Sequence, residues 1–142
     1  MTISAILSRK DERLLSIECA TPVRDAIAML SQNKIGSLPV LKDGKVAGIM
    51  SERDIIYCLA QDGAPILDWP VERVMTSPAI TVSPDVPALS ALSMMSKKRI
   101  RHLPVVENER LIGIVSIGDL VAYRISRIEQ EAEAMRAYIQ TA

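Results

Sequence analysis

Two serine–aspartate pairs, Ser51-x-x-Asp54 and Ser116-x-x-Asp119, are the residues of this chain best suited to hold a polar ligand. Each follows a short apolar run that carries a glycine, Gly48-Ile49-Met50 in one case and Gly113-Ile114-Val115 in the other. The pattern reads as a buried strand ending where a helix begins. A helix N-terminus leaves backbone N–H groups unpaired and carries the positive end of the helix dipole, so a phosphate settles there. A serine hydroxyl in the first turn donates to a phosphate oxygen. An ionised aspartate three residues on is an acceptor only, which suits two neighbouring ribose hydroxyls. The glycine lets a ligand approach the backbone closely. The same Ser-x-x-Asp spacing is also a capping box, which needs no ligand. Both readings hold together if the cap occupies the serine until a ligand arrives.

A second candidate is the basic run Lys97-Lys98-Arg99-Ile100-Arg101-His102. Lys97 and Lys98 read as a solvated helix end, where cations are favoured. Arg101 and His102 fit that reading and a grip on an anionic phosphate chain equally well. His102 is the only histidine, and no serine–acid pair stands near it in triad order, so no catalytic residue is assigned. Cys19 and Cys58 form no CxxC or Cys/His cluster, so no metal site is expected and a reducing compartment is the simpler reading.

What positions these groups is a duplication. Residues 17–55 align without gaps to residues 82–120, with 12 identities in 39 positions, where composition alone gives about three. Each copy reads as strand, helix, strand, turn, strand, helix. In the first, residues 14–17 are a short strand. Thr21 is an N-cap with Pro22 at the first helical position, and Val23, Ala26, Ile27 and Leu30 follow at helical spacing. Residues 38–41 and 46–50 form strands around an Asp43-Gly44 turn, and Ser51 opens a second helix. In the second copy the strands are 80–82, 103–106 and 111–115, with a helix from Pro87 to about Lys98, a turn at Asn108 and a last helix from Ile117. Between the copies, Val71-Glu72-Arg73-Val74-Met75 is a short amphipathic turn. Ile3-Ser4-Ala5-Ile6-Leu7 has the same apolar spacing and is expected to serve copy one in the same way. The last helix breaks the symmetry by running on through Ile125, Ile128, Ala132, Met135 and Ile139 with charges interleaved. Such a stripe needs a cover, and a second subunit is preferred to the chain's own domain.

Composition closes off several classes. The 142 residues suffice for one compact domain, and 49% apolar with 24% charged residues is ordinary globular usage. Seventeen basic residues balance 17 acidic ones, so no global field draws the chain to nucleic acid or a membrane surface. The N-terminal apolar run is too short for a signal peptide and no stretch has the length of a membrane span, so a cytoplasmic location is expected. With no phenylalanine and one tryptophan, the core rests on aliphatic residues, and most of the seven methionines read as packing.

The duplicated unit, the Leu-Pro-Val strands, the segments Gly48-Ile49-Met50-Ser51-Glu52-Arg53-Asp54 and Gly113-Ile114-Val115-Ser116-Ile117-Gly118-Asp119, and the Val74-Met75-Thr76 lead-in together resemble the CBS domain pair, or Bateman module. The resemblance covers nearly all the chain except its last twenty or so residues. It implies a mixed α/β (α+β) fold of two tandem βαββα units. These pack with pseudo-two-fold symmetry and leave two clefts, with a C-terminal helix extension. The expected division is residues 1–62, 63–123 and 124–142. By the same resemblance the clefts take adenine nucleotides such as AMP, ADP, ATP or NAD, and the pair dimerises through its helices. Ser51 and Ser116 would then meet phosphate and Asp54 and Asp119 ribose. Ile35, Gly36 and residues 10–15 would border the adenine at the Asp119 side. Residues 76–80, with Ile80, would do so at the Asp54 side together with Ile100 and Arg101. Ile114 is counted in the nucleotide set, and Arg101 and His102 match the family's phosphate-contacting basic pair. Copy one has Gly36-Ser37 in place of that pair, which favours one occupied cleft over two equal ones.

The function expected on this basis is a stand-alone, non-enzymatic sensor with no required cofactor. It binds an adenosine nucleotide, forms a homodimer and signals to a protein partner that the sequence does not identify. The alternative is a structural dimerisation module whose clefts stay empty. A nucleotide-processing enzyme would need a general base or metal cluster beside the phosphates, and the scattered carboxylates supply neither. Charge balance and the scarcity of stacking aromatics argue against nucleic-acid binding.

Overall fold

The structure, a computed structural model, describes residues 1–10 and 13–141. It contains five helices and five strands: α1 (Ile3–Ser8), β1 (Ile17–Glu18), α2 (Val23–Asn33), β2 (Ser37–Lys42), β3 (Lys45–Ser51), α3 (Glu52–Asp62), α4 (Ala88–Lys98), β4 (His102–Glu107), β5 (Arg110–Ser116) and α5 (Ile117–Thr141). Two 3-10 turns, Ala64–Asp68 and Val71–Arg73, join the repeats. The duplication reaches into backbone detail. Antiparallel β2 and β3 pair Ser37 with Ser51 and Leu38 with Met50, while β4 and β5 pair His102 with Ser116 and Leu103 with Val115. Each hairpin has one irregularity, between Val40 and Leu41 and between Val105 and Val106. Helices α2 and α4 both end on a left-handed residue, Lys34 and Arg99, which turns the chain into the next strand.

The sheets differ in one respect that the sequence explains. The first has three strands in the order β1-β2-β3 and the second only β4 and β5. In the first repeat Cys19 donates its N–H to the Leu41 carbonyl at 2.9 Å, extending the ladder beyond β1. The aligned residue in the second repeat is Pro84, which has no N–H to give. The strand expected over residues 80–82 therefore shrinks to a single bridge between Val82 and Val105. The strand expected over residues 14–17 likewise starts only at Ile17, because Pro39 in β2 has no N–H to carry the parallel ladder further.

Two expectations at the helix starts are corrected. Pro22, not Thr21, caps α2, and Pro87 caps α4 instead of opening it; neither cap uses a side chain. Both prolines are extended because a lead-in segment bridges to them, Pro70 to Pro22 and Thr2 to Pro87. Val23 N–H reaches the Trp69 carbonyl at 2.8 Å and Ala88 N–H reaches that of Met1 at 3.0 Å. The second correction is an exchange. Ile3 and Ile6 of α1, expected to serve copy one, are buried with Val82, Ala91, Met95, Leu103 and Val115 of the second repeat. Val71 and Val74 complete the core of Ile17, Val23, Leu30, Leu38 and Met50 in the first. Each βαββα unit is thus finished by a segment preceding the other in the chain, and strands β3 and β5 meet where the units join.

The exchange also reassigns the two strand glycines. A Cβ on Gly48 would lie 2.6 Å from the Thr76 carbonyl oxygen and 2.7 Å from Met75 Sδ, and one on Gly113 would lie 2.7 Å from Leu7 Cδ2. These glycines make room for the lead-in segments, not for a ligand as the sequence reading had it.

Candidate functional site

At the end of β3 the chain enters α3 through Ser51, whose extended backbone sets it as the N-cap. Asp54 N–H donates to Ser51 Oγ at 3.2 Å and Ser51 N–H donates to Asp54 Oδ2 at 2.9 Å, so the capping box is closed. Ser51 Oγ also donates to Asp54 Oδ2 at 3.0 Å, and Thr76 Oγ1 donates to Asp54 Oδ1 at 3.0 Å. The mirrored junction of β5 and α5 repeats the box: Ser116 N–H to Asp119 Oδ2 at 2.8 Å, and Asp119 N–H to Ser116 Oγ at 3.1 Å. Its further partner differs. Lys10 Nζ donates to Asp119 Oδ2 at 2.8 Å and to the Ile114 carbonyl at 2.9 Å.

A cleft of about 250 Å³ opens beside the first junction. Ser51, Glu52, Arg53 and Asp54 line it from the β3–α3 turn, Gly36 and Ser37 from the start of β2, and Arg99, Ile100, Arg101 and His102 from the start of β4. Thr76, Pro78, Ala79 and Ile80 add a mostly apolar wall from the inter-repeat segment. Both repeats contribute because the start of each hairpin lies at the seam. The Gly36 carbonyl accepts Glu52 N–H at 2.9 Å and the Arg101 carbonyl accepts Ile117 N–H at 2.8 Å, tying each hairpin entry to its own strand-to-helix turn.

Of the residues singled out in the sequence, Ser51, Asp54, Gly36, Ile80, Ile100, Arg101 and His102 line this one cleft. Gly36 therefore faces the Asp54 side, whereas the resemblance had put it at the Asp119 side. Ile35 packs against the first core, as does Leu15. Ser116, Asp119 and Ile114 stand together at the mirrored junction. Within the 10–15 segment assigned to that junction, Asp11 and Glu12 lie outside the described residues. Arg99, part of the basic run but given no role of its own in the sequence, also lines the cleft; the sequence does not mark Ser37, Ile49, Glu52 and Arg53 as lining, nor the hydrogen bonds that Thr76 and Lys10 make. Ser37 is only 6% exposed, and its Oγ has no hydrogen-bond partner among the described residues.

Burial pushes the His102 imidazole below its ordinary value, against the pull of Asp119 and Glu52 and together with repulsion from Lys10 and Arg101. His102 is thus mostly neutral at pH 7 in the unliganded cleft. Burial alone would raise Asp119, but the hydrogen bonds from Lys10 and Ser116 and the Lys10 charge outweigh it and hold the carboxyl low. Burial, then the charges of Asp54 and Asp62, push the Cys58 thiol up, which leaves it a poor nucleophile. Among the described residues no three His, Cys, Asp or Glu side chains cluster as a metal site, and no helix is long and apolar enough to cross a membrane. The cleft combines a carboxylate acceptor for hydroxyls, apolar faces for a flat ring and basic groups for an anion.

The sequence profile of the CBS domain matches twice, at residues 4–61 and 71–126. The CBS domain-containing protein CBSX3, mitochondrial, of Arabidopsis thaliana is 37% identical over 123 residues. That match takes in 83% of this chain and 60% of the relative, so the chain spans less than two thirds of it. Among solved structures, a CBS-domain containing protein from Agrobacterium tumefaciens superposes with a TM-score of 0.81 at 34% identity, covering 87% of this chain and 99% of the other. CBSX2 in complex with AMP gives a TM-score of 0.71 at 25% identity, covering 82% and 90%. The CBS domain pair of protein MJ0100, in complex with 5'-methylthioadenosine and S-adenosyl-L-methionine, gives 0.78 at 26%, covering 89% and 98%.

Proposed function

The chain belongs to the CBS domain family, and from that premise we propose that it is a regulatory module whose Asp54 cleft binds an adenosine nucleotide. The observation that carries this reading is the convergence of Asp54, the apolar Ile80 and Ile100, and the basic Arg101 and His102 on one cleft made by both repeats. The ribose hydroxyls take the place of the Thr76 donor on Asp54. Adenine lies between Ile80 and Ile100, and the phosphate meets Ser51, Arg101 and His102. The AMP and S-adenosyl-L-methionine complexes of its structural neighbours support an adenosine ligand. No residue of the cleft is assigned a catalytic step. A ligand spanning both repeats favours one arrangement of the two units, and that difference in affinity is what reports to a protein partner. The apolar face of α5 joins two such modules as a homodimer.

Calorimetric titration with AMP, ADP, ATP, NAD and S-adenosyl-L-methionine tests the reading. Saturable binding of at least one of them, weakened roughly 5- to 150-fold in Asp54→Ala, is expected. No heat and no rise in melting temperature with any of the five would leave the closed capping box as the whole role of Asp54 and favour a ligand-free dimerisation module.

A further inference from the structure

The two strand-to-helix junctions are built from the same residues 65 positions apart and closed by the same capping box. They part company at one donor. Asp54 receives a neutral hydroxyl, that of Thr76, and lines the open cleft. Asp119 receives an ammonium, Lys10 Nζ, at 2.8 Å, in a pair whose side chains are only 18% and 25% exposed. The same ammonium also bonds the Ile114 carbonyl, the residue two before Ser116 in β5. We infer that Lys10 is a built-in occupant of the Asp119 junction, a latch that keeps a second nucleotide site closed, so that the chain takes one ligand where its duplicated architecture offers two junctions. The inference rests on the proposed nucleotide reading for what the second site would take.

Competition at the two carboxylates is unequal for a physical reason. A ribose hydroxyl replacing Thr76 exchanges one neutral donor for another. Replacing Lys10 breaks a charge-assisted bond, roughly twice as strong as a neutral one, and strips the Ile114 carbonyl of its donor at the same time. Partial burial weakens solvent screening of the pair. The carboxyl of Asp119 is held low, so it stays ionised across physiological pH.

AMP titration of four proteins tests the latch. The wild type is expected to bind a single AMP per chain. Lys10→Met is expected to gain a second site at least ten-fold tighter than any second site of the wild type. Lys10→Met/Asp119→Ala loses that gain, and Lys10→Met/Asp54→Ala retains it while weakening the first site. Lys10→Gln keeps a donor for the Ile114 carbonyl and makes the same comparison should Lys10→Met fold poorly. Two comparable sites in the wild type, or an unchanged single site in both Lys10 variants, overturns the latch and leaves the Asp54 reading standing. A wild type that binds no AMP beside a Lys10 variant with one Asp119-dependent site supports the latch and overturns the Asp54 reading. Absence of binding in every protein overturns both.

Discussion

Thr76 donates its hydroxyl to Asp54 Oδ1 at 3.0 Å, so the inter-repeat segment is fastened to the carboxylate that lines the cleft. The other carboxylate oxygen, Oδ2, is spent on the capping box with Ser51. Asp54 therefore has two separable duties. Asp54→Ala should lower stability by about 0.5–1.5 kcal/mol, because the Ser51 N–H loses its capping-box acceptor while Ser51 still caps α3, and should weaken nucleotide binding by about 1–3 kcal/mol. Thr76→Val keeps the side-chain shape and removes only the donor. Its expected outcome is a loss of about 0.5–1 kcal/mol in denaturant unfolding with AMP affinity unchanged or raised, since the ligand supplies the missing donor. A ten-fold loss of affinity in Thr76→Val would show instead that Thr76 aligns Asp54 for binding.

The two strand glycines should respond differently to the same substitution. A methyl at Gly48 meets the Thr76 carbonyl at 2.6 Å, and that carbonyl is fixed by the Ile49 N–H at 3.0 Å. A methyl at Gly113 meets the tip of Leu7, a half-buried side chain at the edge of the second core, which gives way more readily than a backbone carbonyl. Gly48→Ala is expected to cost about 1–3 kcal/mol, in the range of overpacked cores, and Gly113→Ala clearly less. Urea midpoints compare them directly. Equal losses would mean that α1 is as rigidly seated as the inter-repeat segment.

His102 makes nucleotide binding pH-dependent with a definite sign. Burial first, then the neighbouring cations, lower its folded value below 6.5, so the unliganded imidazole is mostly neutral at pH 7. The unfolded chain takes up this proton first. The unliganded protein therefore holds its full contribution above pH 6.5 and loses it as pH falls toward the folded value. An anionic phosphate beside the ring raises its pKa again, so binding takes up a proton and His102 favours affinity as pH falls. The AMP phosphate titrates near pH 6 itself, but equally for every variant, so the difference between wild type and His102→Gln isolates the imidazole. Calorimetry in buffers of different ionisation enthalpy should find less proton uptake in His102→Gln; equal uptake removes His102 from the phosphate.

Much of this site is written locally. The capping boxes, hairpin turns and repeat register each follow from residues within a few positions, and the 65-residue offset survives into paired strands and left-handed helix ends. What local pattern does not carry is which lead-in completes which repeat. Residues 3–7 and 71–75 have the same apolar spacing, and only the bridges Thr2–Pro87 and Pro22–Pro70 decide the exchange. The Lys10–Asp119 pair joins residues 109 positions apart, and nothing in the composition around Lys10 marks it. In the sequence Arg99 belongs with Lys97 and Lys98 to one basic run. Its left-handed backbone ends α4 and brings it to the cleft wall, a placement that charge alone does not convey.

The last prediction concerns α5, whose final buried residue is Leu120. Val121, Ile125, Ile128, Ala132, Met135 and Ile139 follow at alternating spacings of four and three, the period of a seam between paired helices. Yet Ile125, Ile128, Met135 and Ile139 are 52%, 49%, 62% and 66% exposed in the single chain. Tyr123 packs on the second core, and truncation after it should leave both repeats folded. Sedimentation of the full chain is expected to give a dimer, and the truncated chain a monomer with a cooperative melt. Ile128→Glu/Met135→Glu should do the same without shortening the chain, by burying two charges at the seam. A dimer that persists in both variants would move the interface to the exposed Ile56 and Tyr57 of α3, leaving the α5 stripe without a role in self-association.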